Sequence, residues 1–238
     1  MEIKLLHLYY DIMNLYGEYG NIKILEEHLK DQGYTVIVDK KTLGEEKNLE
    51  EYDFIYMGCG TERNQMCIMQ DFKKEKEKLS KLIEQEKNIM LTGNSYEILG
   101  KKLNREDALE IFNFEAKNTQ ERTTADVICT SNLLKNKVVG FINNMSEITN
   151  LENSLFDIEW GIEDKKEGIS YKNLIGTHII GPILIRNPEL LKLLINRICT
   201  QKDENFKYKD ITYEDEEEGY ELVLKELETR KNKNDRRK

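Results

Sequence analysis

Three short segments of the chain contain residue types that could carry out chemistry. TGNSY (residues 92–96) follows an apolar run and precedes a helix-compatible stretch, a pattern that holds the nucleophile in many α/β enzymes. GCG (58–60) allows a tight turn whose backbone N–H groups could bind an oxyanion. The third segment, DIMNLYGEYGN (11–21), also follows an apolar run. Each segment alone is a weak signal, and their meaning depends on whether the fold brings them together.

The elements around these segments alternate between strand and helix. The predicted strands are residues 4–9, 35–39, 53–58 and 89–92, and the predicted helices are 21–32, capped by Asn21, and 64–86. Strands separated by helices indicate a three-layer α/β fold (αβα) with a mostly parallel sheet between two layers of helices. Ligands bind beyond the carboxyl ends of parallel strands, so the three segments should meet at one edge of the sheet.

The second half of the chain is richer in strands. The β-rich segments are residues 125–131, 137–143 and 168–181, which we interpret as antiparallel additions that return to the same sheet. Further helices are predicted at 188–199 and 213–230. Because no linker interrupts the pattern, residues 1–229 should form a single domain. The basic residues 230–238 are expected to be a disordered tail, since blocks of like charge are usually solvated.

Composition excludes several classes of protein. The net charge of −9 argues against a nucleic-acid-binding protein, which normally has a basic face. No apolar run approaches the roughly 18 to 20 residues of a membrane helix, and the N-terminus reads as a first strand rather than a signal peptide. The four cysteines are scattered without a CxxC pair, which predicts neither a zinc site nor disulfides, but reduced thiols in a cytoplasmic protein.

Five collinear segments carry a resemblance to a known family: NLYGEYGNI (14–22), GCGTERNQ (58–65), SYEILGKKL (95–103), VVGFIN (138–143) and EDKKEGISYKNLIGTHIIGPIL (163–184). They resemble the class I glutamine amidotransferases of the cobyric acid synthase branch. Within that branch the resemblance is to the GatD family, the glutaminase subunits of lipid II isoglutaminyl synthase. The resemblance implies the flavodoxin-like form of the three-layer fold.

The resemblance also implies a reaction and a partner. In the family a cysteine thiolate attacks the side-chain amide of glutamine, a histidine acts as acid and base, and backbone amides bind the oxyanion. The ammonia passes to a Mur-ligase-like, MurT-type protein with which the subunit forms a heterodimer, and which amidates a cell-wall precursor. ATP and metal belong to that partner, so this chain is expected to hold no cofactor and no metal.

The family's catalytic positions are occupied here by residues that cannot perform its chemistry. The resemblance places the nucleophile position at Gly93, the base position at Ile180 and a substrate-binding arginine position at Glu147. The oxyanion and substrate pocket would be formed by four residues of the turns, namely Gly58, Cys59, Gly60 and Asn94.

Three other side chains could substitute for the missing groups. Ser95 and Cys59 are fallback nucleophiles, although Ser95 is expected to cap a helix that begins at Tyr96, and Cys59 to be a bystander thiol. His178 is the fallback base. It should lie roughly 6.5 Å back along its strand from position 180, too deep to reach the turn, as a core histidine.

Two functions from different classes remain open. The first is a catalytically degenerate GatD-like subunit with a scaffold or regulatory role beside its ligase partner. The alternative is an active glutaminase, or a hydrolase of a small amide or ester, that uses Ser95 or Cys59 as a relocated nucleophile. A weaker third possibility is a free-standing binding module.

Overall fold

The computed structural model describes residues 1–235 of the chain. Its strands in chain order are β1 (Glu2–Leu8), β2 (Thr35–Lys41), β3 (Phe54–Met57), β4 (Asn88–Thr92), β5 (Lys102–Leu103), β6 (Glu106–Asp107), β7 (Glu115–Thr130), β8 (Val138–Thr149), β9 (Phe156–Trp160), β10 (Lys166–Glu167), β11 (Ile169–Tyr171), β12 (Leu174–Thr177) and β13 (Ile179–Ile180). Its helices are α1 (Tyr19–Asp31), α2 (Glu62–Phe72), α3 (Lys76–Glu84), α4 (Ile183–Arg186), α5 (Pro188–Lys202) and α6 (Glu214–Asp235).

The first sheet has the strand order β11-β12-β4-β3-β1-β2. All its neighbours pair in parallel except β11, which is antiparallel to β12. Strands β3 and β4 are buried along their whole length, as expected for strands covered by helices on both faces. The predicted mostly parallel α/β architecture is therefore confirmed.

Alternate residues of each central strand point to opposite faces of the first sheet, where two separate cores form. Leu6 and Leu8 face the core that includes α2 and α3. Ile3 and Leu5 face the core that includes α1 and α5. This two-sided burial holds the carboxyl ends of β1, β3 and β4 in fixed positions, and the candidate site is built on those ends.

The second half of the chain departs from the prediction. Only β11 and β12 join the first sheet, whereas β7 and β8 form a long antiparallel hairpin in a second sheet. The prediction that residues 125–131 and 137–143 return to the first sheet was wrong. Strand β12 pairs in parallel with β4. The hairpin is therefore part of the chain segment that connects β4 to β12.

Three helix boundaries also differ from the prediction. Helix α1 begins at Tyr19 rather than being capped by Asn21, because the Asn21 side chain is buried and bonds the Tyr56 hydroxyl and the Leu184 N–H. The predicted helix 64–86 is divided into α2 and α3 by a short 3-10 segment, Lys73–Glu75.

Helix α6 continues to Asp235 and includes the first part of the expected disordered tail. Arg230 pairs with Asp126 and Lys231 pairs with Glu159, and both acidic partners lie on the second sheet. Residues 236–238 lie outside the described part of the chain. Within residues 1–235, no helix is both long and apolar enough to cross a membrane.

Candidate functional site

The three segments singled out from the sequence meet at the carboxyl edge of the first sheet. The backbone N–H of Leu15 donates to the carbonyl of Cys59 over 2.9 Å. Asn94 joins the other two segments, because its side chain accepts from Gly60 N at 3.1 Å and donates to Gly60 O at 3.0 Å. Gly58 packs against this junction, where an added Cβ would lie 2.5 Å from the Met13 carbonyl oxygen.

Gly93 begins a short 3-10 helix, Gly93–Leu99, which we call the elbow. Its φ of +64° is in the left-handed region that glycine adopts at little cost. A Cβ built on Gly93 would lie 2.4 Å from both the Cβ and the Sγ of Cys59. The Cys59 side chain therefore fills the space that any side chain at position 93 would need.

Cys59 is in the right place for a relocated nucleophile but in the wrong electrostatic environment. Its side chain is 4 % exposed, and Sγ has only Gly60 O at 3.8 Å and Asn94 Oδ1 at 3.7 Å as polar contacts. Burial, together with the negative charges of nearby glutamates, raises the pKa of this thiol to about 12. Reactive cysteines have thiolates stabilised by a cation or a helix N-terminus, and none of the contacts of Cys59 is cationic.

Ser95 neither caps a helix nor faces a substrate. The Ser95 hydroxyl is fully buried. It donates its hydrogen to the carbonyl oxygens of Thr92, at 2.8 Å, and of Met57, at 3.2 Å. The capping prediction was wrong because the helical turn already begins at Gly93, which places Ser95 inside it. The hydroxyl ties the elbow to the ends of β3 and β4.

The base position holds an apolar side chain beside a buried carboxylate. Ile180 is fully buried on β13. Next to it, Gly181 N donates to Glu18 Oε1 at 2.9 Å, and Glu18 also accepts from Tyr56 and Thr92. Burial raises the pKa of Glu18. The sequence reasoning missed this cluster, although Glu18 belongs to the loop at residues 11–21.

His178 does reach the elbow, contrary to the prediction that it lies too deep. Its Nε2 is 2.8 Å from Glu97 Oε1, and its Nδ1 is 3.0 Å from the Tyr96 hydroxyl. The prediction assumed one continuous strand through residues 178–180, but β12 ends at Thr177 and β13 begins at Ile179. His178 stands at the break and turns toward the elbow.

The surroundings of His178 oppose its use as a base. Burial alone would lower its pKa, but hydrogen bonds with Glu167 and Glu97 raise the pKa to about 9. The ring is therefore protonated near neutral pH and has no lone pair to accept a proton. Among residues 1–235 it makes no hydrogen bond to Cys59 or Ser95.

A small cavity of about 120 Å³, which we call the elbow cavity, opens above these residues. It is lined by residues of all three turns together with the β7–β8 hairpin, among them Tyr16, Cys59, Gly60, Asn94, Glu97, Arg122, Asn143, Asn144 and Ser146. Glu147 is not among the lining residues, and its backbone lies opposite that of Lys117 in the β7–β8 hairpin.

Arg122 is one of the residues of the elbow cavity that the sequence reasoning missed. Its guanidinium donates to Glu62 at 2.7 Å and to Asn143 at 2.9 Å. No motif in the sequence indicated that Arg122 belongs to the site. The strand was predicted to begin only at residue 125, whereas β7 begins at Glu115. An arginine beside a cavity can bind a carboxylate through two parallel hydrogen bonds.

Comparisons with known proteins agree with this architecture. The model of the CobB/CobQ-like glutamine amidotransferase domain matches residues 4–188. The chain is 31% identical over 232 residues to the GatD subunit of lipid II isoglutaminyl synthase from Staphylococcus aureus (strain N315), covering 94% of this chain and 95% of that protein. The GatD subunit from Streptococcus pneumoniae (strain ATCC BAA-255 / R6) is 25% identical over 213 residues, with 84% and 82% covered. The chain belongs to the CobB/CobQ-like glutamine amidotransferase family.

A solved glutamine amidotransferase structure has the same fold. It superimposes with a TM-score of 0.55 at 11% identity, covering 82% of this chain and 98% of that one. This CobB/CobQ-like chain thus keeps the glutamine amidotransferase scaffold, the elbow and a cavity above it.

The elbow cavity of this CobB/CobQ-like chain is lined mainly by polar side chains. Arg122 and several amide side chains offer hydrogen bonds to a small polar ligand. Burial raises the pKa of the Cys59 thiol that lines the elbow cavity, and the carboxylates of Glu167 and Glu97 raise the pKa of His178. No group of three or more metal-binding side chains occurs within residues 1–235.

Proposed function

We propose that this chain is a GatD-like subunit without glutaminase activity, which acts as a scaffold or regulator beside a Mur-ligase-like partner. One observation carries the proposal: the Cys59 side chain occupies the space above Gly93, 2.4 Å from where a Cβ would begin. A side chain at position 93 would therefore require Cys59 to move or to be replaced. The apolar Ile180 and the protonated His178 support the same conclusion.

The role beside a ligase rests on the relatives. Both are named as subunits of a glutamine-hydrolysing lipid II isoglutaminyl synthase. We infer that this chain pairs with a MurT-type ligase as a heterodimer in the amidation of lipid II in the cytoplasm. In this proposal ATP and metal bind to the ligase, and this chain holds neither.

The decisive experiment measures ammonia and glutamate release from glutamine by the purified chain together with its MurT-type partner. We expect release no faster than with the partner alone, and amidation of lipid II only when ammonium is supplied. The matched variants are Cys59→Ser and Ser95→Ala. Clear glutamine hydrolysis that either variant abolishes would contradict the proposal.

One observation favours the alternative, an enzyme with a relocated nucleophile. Cys59 Sγ lies 2.4 Å from the point where a side chain at position 93 would begin, and it lines the elbow cavity. A glutamine-mimicking electrophile distinguishes the two functions. Stoichiometric labelling of Cys59 at neutral pH, absent in Cys59→Ser, would establish the alternative. We expect labelling no faster than at a buried thiol such as Cys129.

A further inference from the structure

A second cavity, of about 250 Å³, lies next to the elbow cavity. Asn144 and Ser146 line both, whereas Tyr96 and His178 line only the second. We call this second space the rear cavity. Much of its wall is apolar and is formed by the side chains of Ile142, Ile148, Leu151 and Ile162. Nothing in the proposed function uses it.

The hydroxyl of Tyr96 is a buried polar group in the lining of the rear cavity. This tyrosine is fully buried, and its hydroxyl oxygen lies 3.0 Å from His178 Nδ1. Burial holds the pKa of Tyr96 well above its ordinary value, so the hydroxyl keeps its hydrogen. The question is which of the two partners donates in this hydrogen bond.

The surroundings of His178 decide the direction of the bond. The ring lies between two carboxylates, with Nε2 2.8 Å from Glu97 Oε1 and Nδ1 3.5 Å from Glu167 Oε1. These contacts favour the imidazolium, in which both nitrogens carry hydrogen and both donate. Nδ1–H therefore donates to the oxygen of Tyr96.

Tyr96 consequently has a hydrogen that it does not use. Its oxygen accepts from His178, and no acceptor for its own O–H occurs within residues 1–235. Buried polar groups are almost always hydrogen-bonded, and an exception marks a place for a ligand or an ordered water. The unused donor belongs to a side chain that lines the rear cavity.

The charges near this donor favour an uncharged ligand. His178 contributes one positive charge, and Glu97 and Glu167 contribute two negative charges, so an anion next to the Tyr96 hydroxyl would be repelled. The other charged residues of the lining, Asp164, Lys165 and Lys166, are exposed and therefore screened by solvent. A cation would lack a free carboxylate at this depth. Glu97 already accepts from Gln65 and Ser146, and Glu167 accepts from Thr177 and the His178 N–H.

We propose that the rear cavity is a binding site for a small, uncharged molecule with a branched aliphatic body and a carbonyl group. The carbonyl oxygen accepts the hydroxyl hydrogen of Tyr96, and the aliphatic body packs against Ile148, Leu151 and Ile162. The volume of about 250 Å³ lies below the roughly 300–1,000 Å³ of pockets for drug-sized ligands, so the ligand is small.

Three probes of one shape and different charge test the proposal on the full chain. Isovaleramide is neutral and has a carbonyl, isovalerate is an anion, and isoamylamine is a cation. We expect isovaleramide to shift amide resonances of residues 142–151 and 162–168 saturably in an NMR titration. Isovalerate and isoamylamine should bind at least about tenfold more weakly, because each would bring an unpaired charge to a buried site.

Removal of the donor identifies the contact. Tyr96→Phe should weaken isovaleramide binding about tenfold, the usual effect of one lost hydrogen bond. The control is Tyr171→Phe, a half-buried tyrosine whose hydroxyl bonds Glu84 instead, and it should leave the affinity unchanged. If Tyr96→Phe does not fold, Leu151→Phe should abolish binding by filling the cavity.

Three results would overturn the proposal. One is equal affinity for the three probes, which would indicate only an apolar space. Another is an affinity for isovaleramide that survives Tyr96→Phe or, in its place, Leu151→Phe. The last is the absence of saturable shifts, which would mean that the rear cavity holds water alone. None of these results depends on whether the elbow hydrolyses glutamine.

Discussion

At the residue scale, Cys59 and Gly93 depend on each other, because the Cys59 side chain fills the space that a side chain at position 93 would occupy. Gly93→Ala should lower the free energy of unfolding by about 2–4 kcal/mol, through a clash with Cys59 and a strained φ of +64°. Chemical denaturation measures this loss. The double variant Gly93→Ala with Cys59→Gly should recover the part that comes from the clash.

Gly44→Ala is the control that measures backbone strain without a steric clash. Gly44 has a φ of +76°, and nothing lies within 4 Å of an added Cβ. This variant should cost only about 1–2 kcal/mol, the penalty of the left-handed conformation. If Gly93→Ala costs no more than Gly44→Ala, Cys59 does not block position 93, and the main support for a silent elbow is lost.

His178 should make stability depend on pH. Its folded pKa of about 9 lies above the ordinary 6.5, so the stabilisation is fully present below pH 6.5 and is lost as the pH rises toward 9. The loss should be on the order of 3 kcal/mol. Urea unfolding between pH 6 and 9 measures it, and His178→Gln should flatten the dependence.

His7→Gln is the matched control for that pH series. Burial lowers the pKa of His7 to about 4, so this histidine is neutral throughout the window from pH 6.5 to 9. The variant should shift stability by the same amount at every pH above about 7.5, where the histidine of the unfolded chain is neutral as well. A slope that persists in His178→Gln and disappears in His7→Gln would contradict the assignment.

At the scale of elements, the first half of the chain was predictable and the second half was not. Strands β3 and β4 are short apolar runs that are buried along their whole length, and β1 is mostly buried. In these strands the hydrophobic pattern and the structure agree, and β2, at the edge of the sheet, is more exposed. The long β7 contains a polar, mostly exposed stretch before residue 125. This stretch forms a strand because it pairs with β8. Pairing between residues that are distant in sequence cannot be predicted from local composition.

The same limit explains the errors at the candidate site. The turns and the replaced positions could be located from motif order alone. Arg122 could not, because its approach to the elbow cavity depends on the hairpin register, which shifts between Asn118 and Thr123. The contact of His178 with the elbow depends on a break between β12 and β13 after Thr177. No residue type in this part of the sequence predicts that break.

Helix α6 should depend on one apolar contact. Leu227 is 5 % exposed and packs with Ile128 and Val139 of the second sheet. Leu227→Ala should destabilise the docked helix by roughly 2–3 kcal/mol, and should raise amide hydrogen exchange in residues 214–235 without affecting β1 to β4. The control is Leu222→Ala on the same helix, which is 60 % exposed and should change nothing.

At the scale of the whole molecule, the role beside a partner that we propose requires a surface on which that partner can dock. Four large apolar side chains are exposed around the elbow: Leu15, Tyr16, Tyr19 and Ile185. Leu15 and Tyr16 also line the elbow cavity. Ile185 lies beside the start of α1, because its Cδ1 would be 3.0 Å from a Cβ on Gly20. Exposed apolar patches of this kind mark protein interfaces.

If the partner is the MurT-type ligase proposed above, Tyr19→Asp should weaken its binding at least about tenfold, since tyrosine is enriched among the interface residues that contribute 2 kcal/mol or more. Calorimetric titration of the two purified proteins measures the affinity. Leu222→Asp, which places the same charge on the exposed face of α6, should leave it unchanged. If Leu222→Asp weakens the complex and Tyr19→Asp does not, the ligase docks on α6, and the elbow faces solvent in the complex.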